Sequence, residues 1–283
     1  WCTGSVARRT IGAQRPLERV AIDHKVKPVG AVGGEAAARK ALKIFINERL
    51  SHYMADRNAP EASATSELSA YLHFGHISAH EVAAQILARE KWTPKKLSKK
   101  SSGQKSGWWG VSENAEAFLD QLVTWRELGF NMSYHRDDYR EFGSLPFWAR
   151  DTLAAHAKDK REYVYGLDGF ENAATHDPLW NAAQRQLVRE GVIHNYLRML
   201  WGKKILEWSL SAEEALAVMV ELNNKYALDG RAPNSYSGIF WVLGRYDRAW
   251  GPERKVFGKI RYMSSANTAR KVHVAGYLEK YGE

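Results

Sequence analysis

Between His176 and Asp229 the chain gathers residue types able to give up electrons and to hold charge: the oxidisable indoles of Trp180, Trp201 and Trp208, the cation Arg198 and the carboxylate Asp229. Their spacing says how they are presented. Asp177 followed by Pro178 is a helix start, a capping carboxylate and then a fixed φ where no N–H is needed. Trp201 and Trp208 lie two turns apart on what reads as one helix, so they share a face. Two readings fit this spacing. Either the indoles fill a core and Arg198 pairs with Asp229 for structure, or the set is functional.

A second group is the hydroxyl cluster Thr65-Ser66-Glu67-Leu68-Ser69, followed by His73-Phe74-Gly75-His76. Hydroxyls at a helix start offer side-chain donors beside free N–H groups, which suits a phosphate. Ordinary N-capping explains the same residues equally well. His73 and His76 have a spacing that suits a metal, but no Cys or carboxylate cluster completes such a site, so none is expected.

These residues need elements to carry them, and the periodicity supplies helices. Leu42, Phe45, Ile46, Leu50 and Tyr53 fall on one face of a helix starting near Glu35, which Asp56-Arg57-Asn58-Ala59-Pro60 breaks. Phe118 to Leu128 reads as a strong amphipathic helix, and Ser211 with Glu214 as the capping box of a helix reaching about Tyr226. Trp148 to Leu179 reads as short helices and turns, and Asp229 to Asn234 as a turn. Lys95 to Lys105 lacks periodicity and reads as a polar surface loop. No stretch alternates at period two long enough to build a sheet, so the expected fold is all-α, a large single helical domain over 35–283. Residues 1–34, Gly/Pro-punctuated and basic, read as a linker arriving from a domain upstream, and the chain opens on Trp1 rather than Met.

Composition narrows the partners. The chain has 283 residues, with 41 Lys and Arg against 32 Asp and Glu, a net charge of +9 that favours a polyanionic partner. Its single cysteine, Cys2, excludes an internal disulfide framework and a Cys-based zinc site and fits a reducing compartment. No apolar run approaches the ~20 residues of a membrane helix and no signal peptide is legible, so a cytoplasmic protein is expected, nuclear if the source is eukaryotic; a monomer is expected as well. There is no internal repeat, no G-x-G-x-x-G and no P-loop signature.

Taken in order, Thr-Ser-Glu-Leu-Ser with His-Phe-Gly, Trp-Arg-Glu-Leu, Asp-Pro-Leu-Trp-Asn-Ala, Leu-Arg-Met, Leu-Asp-Gly-Arg and Gly-Lys-Ile-Arg-Tyr-Met form a specific set. From about Glu35 to Tyr281 the chain resembles the FAD-binding catalytic domain of the photolyase/cryptochrome family, most of all class II cyclobutane pyrimidine dimer photolyases. The α/β antenna domain of that family is not in the sequence. The resemblance implies FAD held by Tyr53, Thr65, Ser66, Leu68, Ser69 and Asn181, with Arg198 and Asp229 paired beside the isoalloxazine and Asn223 facing its protonating ring nitrogen. It implies an electron relay Trp201, Trp180, Trp208 running outward from the flavin. It places Trp125 and Trp241 as aromatic walls for a flipped dinucleotide, with Arg126 and Met199 beside them, and Arg248 and Arg261 supporting the opened duplex of UV-damaged DNA.

The implied activity is that of a deoxyribodipyrimidine photo-lyase: reduced FAD, excited by light, lends an electron to the dimer, the ring opens and the electron returns. Three departures stand out. Gln121 replaces a lesion-facing Glu, Ala232 replaces the second Asp of the Asp-Gly-Arg-Asp turn, and the lysine-rich loop before Trp108 is not the usual connection. Gln121 can donate and accept hydrogen bonds but supplies neither proton nor charge, which keeps a second expectation open, a cryptochrome-like photoreceptor without repair. A cofactor-free helical nucleic-acid binder is a third, against which Arg198, Asp229 and Asn223 argue together.

Overall fold

The computed structural model describes residues 20–100, 104 and 106–283. Cys2 and the first part of the linker-like segment lie outside the described residues, as do Ser101, Ser102, Gly103 and Lys105 of the lysine-rich segment. Among the described residues there are helices and no strands, apart from an isolated antiparallel bridge between Arg254 and Gly258.

The N-terminal half begins with α1 (Glu35–Ile44). Leu42, Phe45, Leu50 and Tyr53 are buried along its inner face, as their spacing predicts, and Ile46 is partly buried. The helix is not regular throughout: a π-helical turn covers Phe45–Arg49 and a 3-10 turn Leu50–His52 before α2 (Tyr53–Asp56). It stops at Asp56, where the sequence predicts the break. Next come α3 (Ser69–His73), α4 (Ala79–Arg89) and α5 (Glu113–Leu119). The expected helix over 118–128 lies inside an unbroken helical run of α5, a π-helical turn Asp120–Trp125 and α6 (Arg126–His135), the π turn being the departure from regularity. These elements enclose a core of Leu42, Phe45, Tyr53, Leu68, Ile86 and Phe118.

The larger core belongs to the rest of the chain. It is built by α7 (Phe147–Ala155), α8 (Leu167–Glu171), α9 (Pro178–Glu190), α10 (Asn195–Trp208), α11 (Ala212–Tyr226) and α12 (Pro233–Val242), with α13 (Ser265–Lys271) and α14 (Ala275–Tyr281) closing it. Local chemistry sets several of the ends. Asp177 Oδ1 accepts from Trp180 N at 3.0 Å at the start of α9. Ser211 Oγ accepts from Glu214 N at 3.0 Å, while Glu214 reaches back past the expected partner to the N–H of Leu210 at 2.9 Å. Ala232 caps α12 with no side-chain bond, so the missing carboxylate leaves that helix start to the backbone.

Close approach of helices depends on two glycines. A Cβ on Gly129 of α6 would sit 2.8 Å from Ser237 Oγ and 2.9 Å from the Asn234 backbone of α12. A Cβ on Gly202 of α10 would sit 2.5 Å from Val242 of the same α12. Both contacts fix α12 against its neighbours, and α12 carries Trp241.

Helix α10 is buried on nearly every side, which is why it lacks a polar face and encloses even Lys203, 2% exposed. The Lys203 ammonium donates to the carbonyl of Val242, and burial pulls its pKa from 10.5 down to about 7. Between those values the unfolded chain holds a proton that the folded chain lacks, so folding stability rises with pH across that window. Lys203→Met is expected to stabilise the protein at pH 7 by about 2 kcal/mol, the lost hydrogen bond partly offsetting the gain. Denaturant unfolding at pH 7 and pH 9 checks this: the wild-type rise should vanish in the variant, and a flat wild-type profile would contradict it.

Candidate flavin and nucleic-acid site

Predicted site residues lie in both cores, Tyr53 and Leu68 in the N-terminal one and Trp180, Trp201 and Trp208 in the larger one. Tyr53, at the end of the α1 face, is buried and meets Phe45 and Phe118 edge-on, at centroid distances of 5.6 and 5.4 Å. The Arg57 guanidinium lies 5.7 Å from the Tyr53 ring, and the Arg57 backbone reaches toward the His194 ring at the start of α10. Thr65, Ser66, Leu68 and Ser69 follow in the chain, with Leu68 buried in the same core as Tyr53. Thr65 and Ser66 precede α3 rather than capping it: its N-cap is Leu68, and Ser66 Oγ accepts only a long bond of 3.4 Å from Leu68 N. Arg49 shapes this segment by donating to Thr65 O at 3.0 Å and pairing with Glu67 at 2.9 Å, while Glu67 sits at φ 58°.

One turn into α10, Arg198 Nη2 stands 3.3 Å from Asp229 Oδ1, with side-chain exposures of 17% and 13%. Trp201 follows one turn further along that helix. Its Nε1–H donates to Gln184 Oε1 at 2.9 Å, and Trp180 Nε1–H donates to the carbonyl of Trp201 at 2.9 Å. The Trp180 and Trp208 rings meet edge-on at 6.0 Å. Trp180 thus touches both of the others, the backbone of one and the ring of the next. Trp208 is only 3% exposed, and Lys204, paired with Glu207 at 2.6 Å, holds its ammonium 5.2 Å from the Trp208 ring. Aromatic contact continues outward through His176, 4.8 Å from Trp208, to Tyr163, which stacks on His176 at 3.7 Å and is 39% exposed.

Asn181 and Asn223 are both buried. Asn181 is engaged at both ends of its amide by Thr175, at 2.7 and 2.8 Å. Asn223 Nδ2 donates to Ser235 Oγ at 2.7 Å.

Sequence reasoning missed Arg49, Gln184 and His194. Both ring nitrogens of His194 are buried and complete no hydrogen bond, and burial, opposed by the nearby Arg57 backbone, drops its pKa to about 4. Such orphaned groups ask for an explanation. Ser69 is exposed and Thr65 half-buried, so their hydroxyls are met by solvent or by a ligand. By donor chemistry, the buried imidazole, these hydroxyls and the half-buried guanidinium–carboxylate pair fit a polar, phosphate-bearing cofactor. Asn181 fits less directly, because it would first have to release Thr175. Two concavities of the described residues lie elsewhere: an open trough of about 650 Å³ along the Glu127–His135 face of α6, and a hollow of about 190 Å³ between Glu171 and Arg189. The chemistry of the side chains, not the size of a hollow, marks the candidate residues. No cluster of metal-ligating side chains occurs among the described residues.

Ring contacts join two groups of the predicted base-facing residues, one at Trp125 and Trp241 and one at Trp250. Trp125 and Trp241 touch, with ring centroids 4.5 Å apart at 43°, so they form a joined V-shaped wall rather than a slot with room between its faces. Gln121 and Arg126 flank Trp125 along the chain, and Arg126 pairs with Glu127 and lies 4.3 Å from the Phe130 ring. Met199, partly buried on α10, packs against the larger core. Arg248 and Arg261 lie over one ring, Trp250, at 4.1 and 4.9 Å. No helix of the described residues is long and apolar enough to cross a membrane.

No family model matches the chain. Individual proteins do. It is 43% identical over 251 residues to a deoxyribodipyrimidine photo-lyase of Oryza sativa subsp. japonica, covering 87% of this chain and 46% of that protein. The protein of that name from Potorous tridactylus is 40% identical over 261 residues, covering 92% and 46%. One from Methanothermobacter thermautotrophicus is 38% identical over 250 residues, covering 88% and 50%. The chain therefore spans about half the length of these relatives. Among solved structures, a class III photolyase from Agrobacterium tumefaciens superposes with a TM-score of 0.61 at 21% identity, over 88% of this chain and 44% of that one. A Synechocystis cryptochrome gives 0.64 at 15% identity, over 91% and 47%. By sequence over most of its length, and by its helical fold, the chain belongs to the photolyase/cryptochrome family.

Proposed function

We propose that this chain is the flavin-binding, DNA-facing part of a light-driven DNA repair enzyme that splits cyclobutane pyrimidine dimers. The observation that carries the reading is the half-buried Arg198–Asp229 pair one turn before Trp201, the first of three indoles joined to one another. When bound and reduced, FAD supplies a light-excited one-electron donor. Around it the chain does the positioning. Arg198, held by Asp229, favours negative charge beside it. Tyr53, Thr65, Ser66, Leu68 and Ser69 hold phosphates and ribitol with Asn181, and Asn223, its amide anchored by Ser235, faces the ring. Trp201, Trp180 and Trp208 return electrons to the cofactor from outside. Trp125 and Trp241 offer stacking faces to extruded bases, with Gln121, Arg126 and Met199 at their edge, while Arg248 and Arg261 meet phosphate. The net charge of +9 supports a DNA partner, and the protein acts as a monomer inside the cell.

The fragment is expected to bind one FAD without further sequence, because the residues assigned to it all lie within 53–229. Titration of the purified chain with FAD should give a protein-bound flavin spectrum. Arg198→Ala should lose most of that binding, since it leaves Asp229 as a partly buried carboxylate without its partner. A wild-type chain that takes up no flavin would overturn the reading. A photoreceptor without repair is the second reading, favoured by Gln121 at the base-facing edge.

A further inference from the structure

The π-helical turn Asp120–Trp125 makes a contact that a regular helix would not. In an α-helix, residues five apart point away from one another, whereas the wider π turn brings them toward one face. Here the Trp125 Nε1–H donates to Asp120 Oδ2 at 2.7 Å. The same oxygen accepts from Gln121 Nε2 at 3.3 Å. A carboxylate only accepts, so the NH₂ end of the Gln121 amide must face Asp120, and the Gln121 carbonyl oxygen accepts no hydrogen bond among the described residues. Trp125 in turn packs on Trp241. Asp120 is also close enough to act on Tyr53: burial is the main cause pushing the Tyr53 phenol up, Arg57 opposes it, and the Asp120 charge adds to the push.

We propose that Asp120 is a positioning residue for the base-facing surface, one carboxylate oxygen setting both the tilt of Trp125 and the orientation of the Gln121 amide. This rests on the DNA-repair reading. Asp120 touches no reacting atom; it decides which face of an indole and which end of an amide a pyrimidine meets.

The test uses the FAD-loaded full chain as wild type, Asp120→Ala, Trp125→Phe and the double variant. Each is titrated with an oligonucleotide carrying one thymine dimer and with the same strand undamaged. Each single change should cut the preference for the damaged strand about tenfold, the weight of one charge-assisted hydrogen bond. The double variant should lose no more than the larger single loss, because both changes remove one contact. Flavin content should stay unchanged, and binding of undamaged DNA should change less than binding of the dimer strand. Asp120→Asn, of the same shape, should lose part of the preference and covers the case in which alanine unsettles the turn. A second readout does not depend on DNA: the indole ¹H–¹⁵N resonance of Trp125, identified by its loss in Trp125→Phe, should move upfield in Asp120→Ala. Additive losses, equal losses on both strands, or an unmoved resonance would each overturn the proposal. A wild type with no preference for the dimer strand would remove the repair reading and the positioning role with it, even where the resonance moves.

Discussion

Trp201→Phe is expected to abolish light-driven reduction of bound, oxidised FAD by an external donor, while leaving flavin binding intact. Trp201 lies one turn beyond Arg198 on α10, and Trp180 touches it through a 2.9 Å hydrogen bond to its carbonyl. Phenylalanine keeps most of the buried aromatic volume but cannot be oxidised under these conditions. It also leaves Gln184 Oε1 without the Trp201 N–H, a buried acceptor worth about 1–3 kcal/mol of stability. The variant should therefore be folded and somewhat less stable. Photoreduction is followed by the bleaching of flavin absorbance under blue light with excess thiol. A wild-type rate in the variant would return Trp201 to the core. Repair from chemically reduced flavin should persist in it, because the indoles recharge the cofactor and take no part in the splitting itself.

The second large effect belongs to DNA. Trp241→Ala should weaken binding to dimer-containing DNA by about 10- to 100-fold, the equivalent of the ~1–3 kcal/mol that stacking on an aromatic ring contributes per base. Undamaged DNA should be affected little. The wall is a single V, so removing Trp241 also uncovers the face of Trp125 that packs on it. Arg261→Ala should behave differently. A phosphate contact releases counterions on any sequence, so this variant should weaken both DNAs and lower the salt slope by about one. Equal losses on the two DNAs in the Trp241 variant would remove the wall from lesion recognition.

What the sequence made legible was what is local. Asp177-Pro178 and Ser211 announce helix starts because a cap bonds within three residues, and both caps form. The apolar face from Leu42 to Tyr53 was legible because burial repeats with the helical period. The π turns at Phe45–Arg49 and Asp120–Trp125 were not, since one extra residue in a turn leaves the apolar pattern almost unchanged. That small shift has a large local result, the Asp120–Trp125 bond. Arg49, Gln184 and His194 were illegible for another reason. Their roles come from distant partners, as Gln184 meeting Trp201 shows. The resemblance proposes the order of the indoles, but that Trp208 is buried and meets both His176 and Tyr165, with Tyr163 stacked on His176, needed coordinates.

The central claim concerns repair, and Gln121 is where it is most exposed. A Gln offers N–H donors to a carbonyl gaining negative charge, yet cannot supply the proton a protonated Glu would bring. The decisive measurement is the quantum yield of thymine-dimer splitting on a defined oligonucleotide, with the flavin bound and reduced, for the wild type and for Gln121→Glu. The account predicts light-dependent loss of dimers by the wild type, and a higher yield per photon in Gln121→Glu at nearly the same dissociation constant. If neither protein splits the dimer in light although FAD is bound and reduced, the repair reading is contradicted and the photoreceptor reading takes its place.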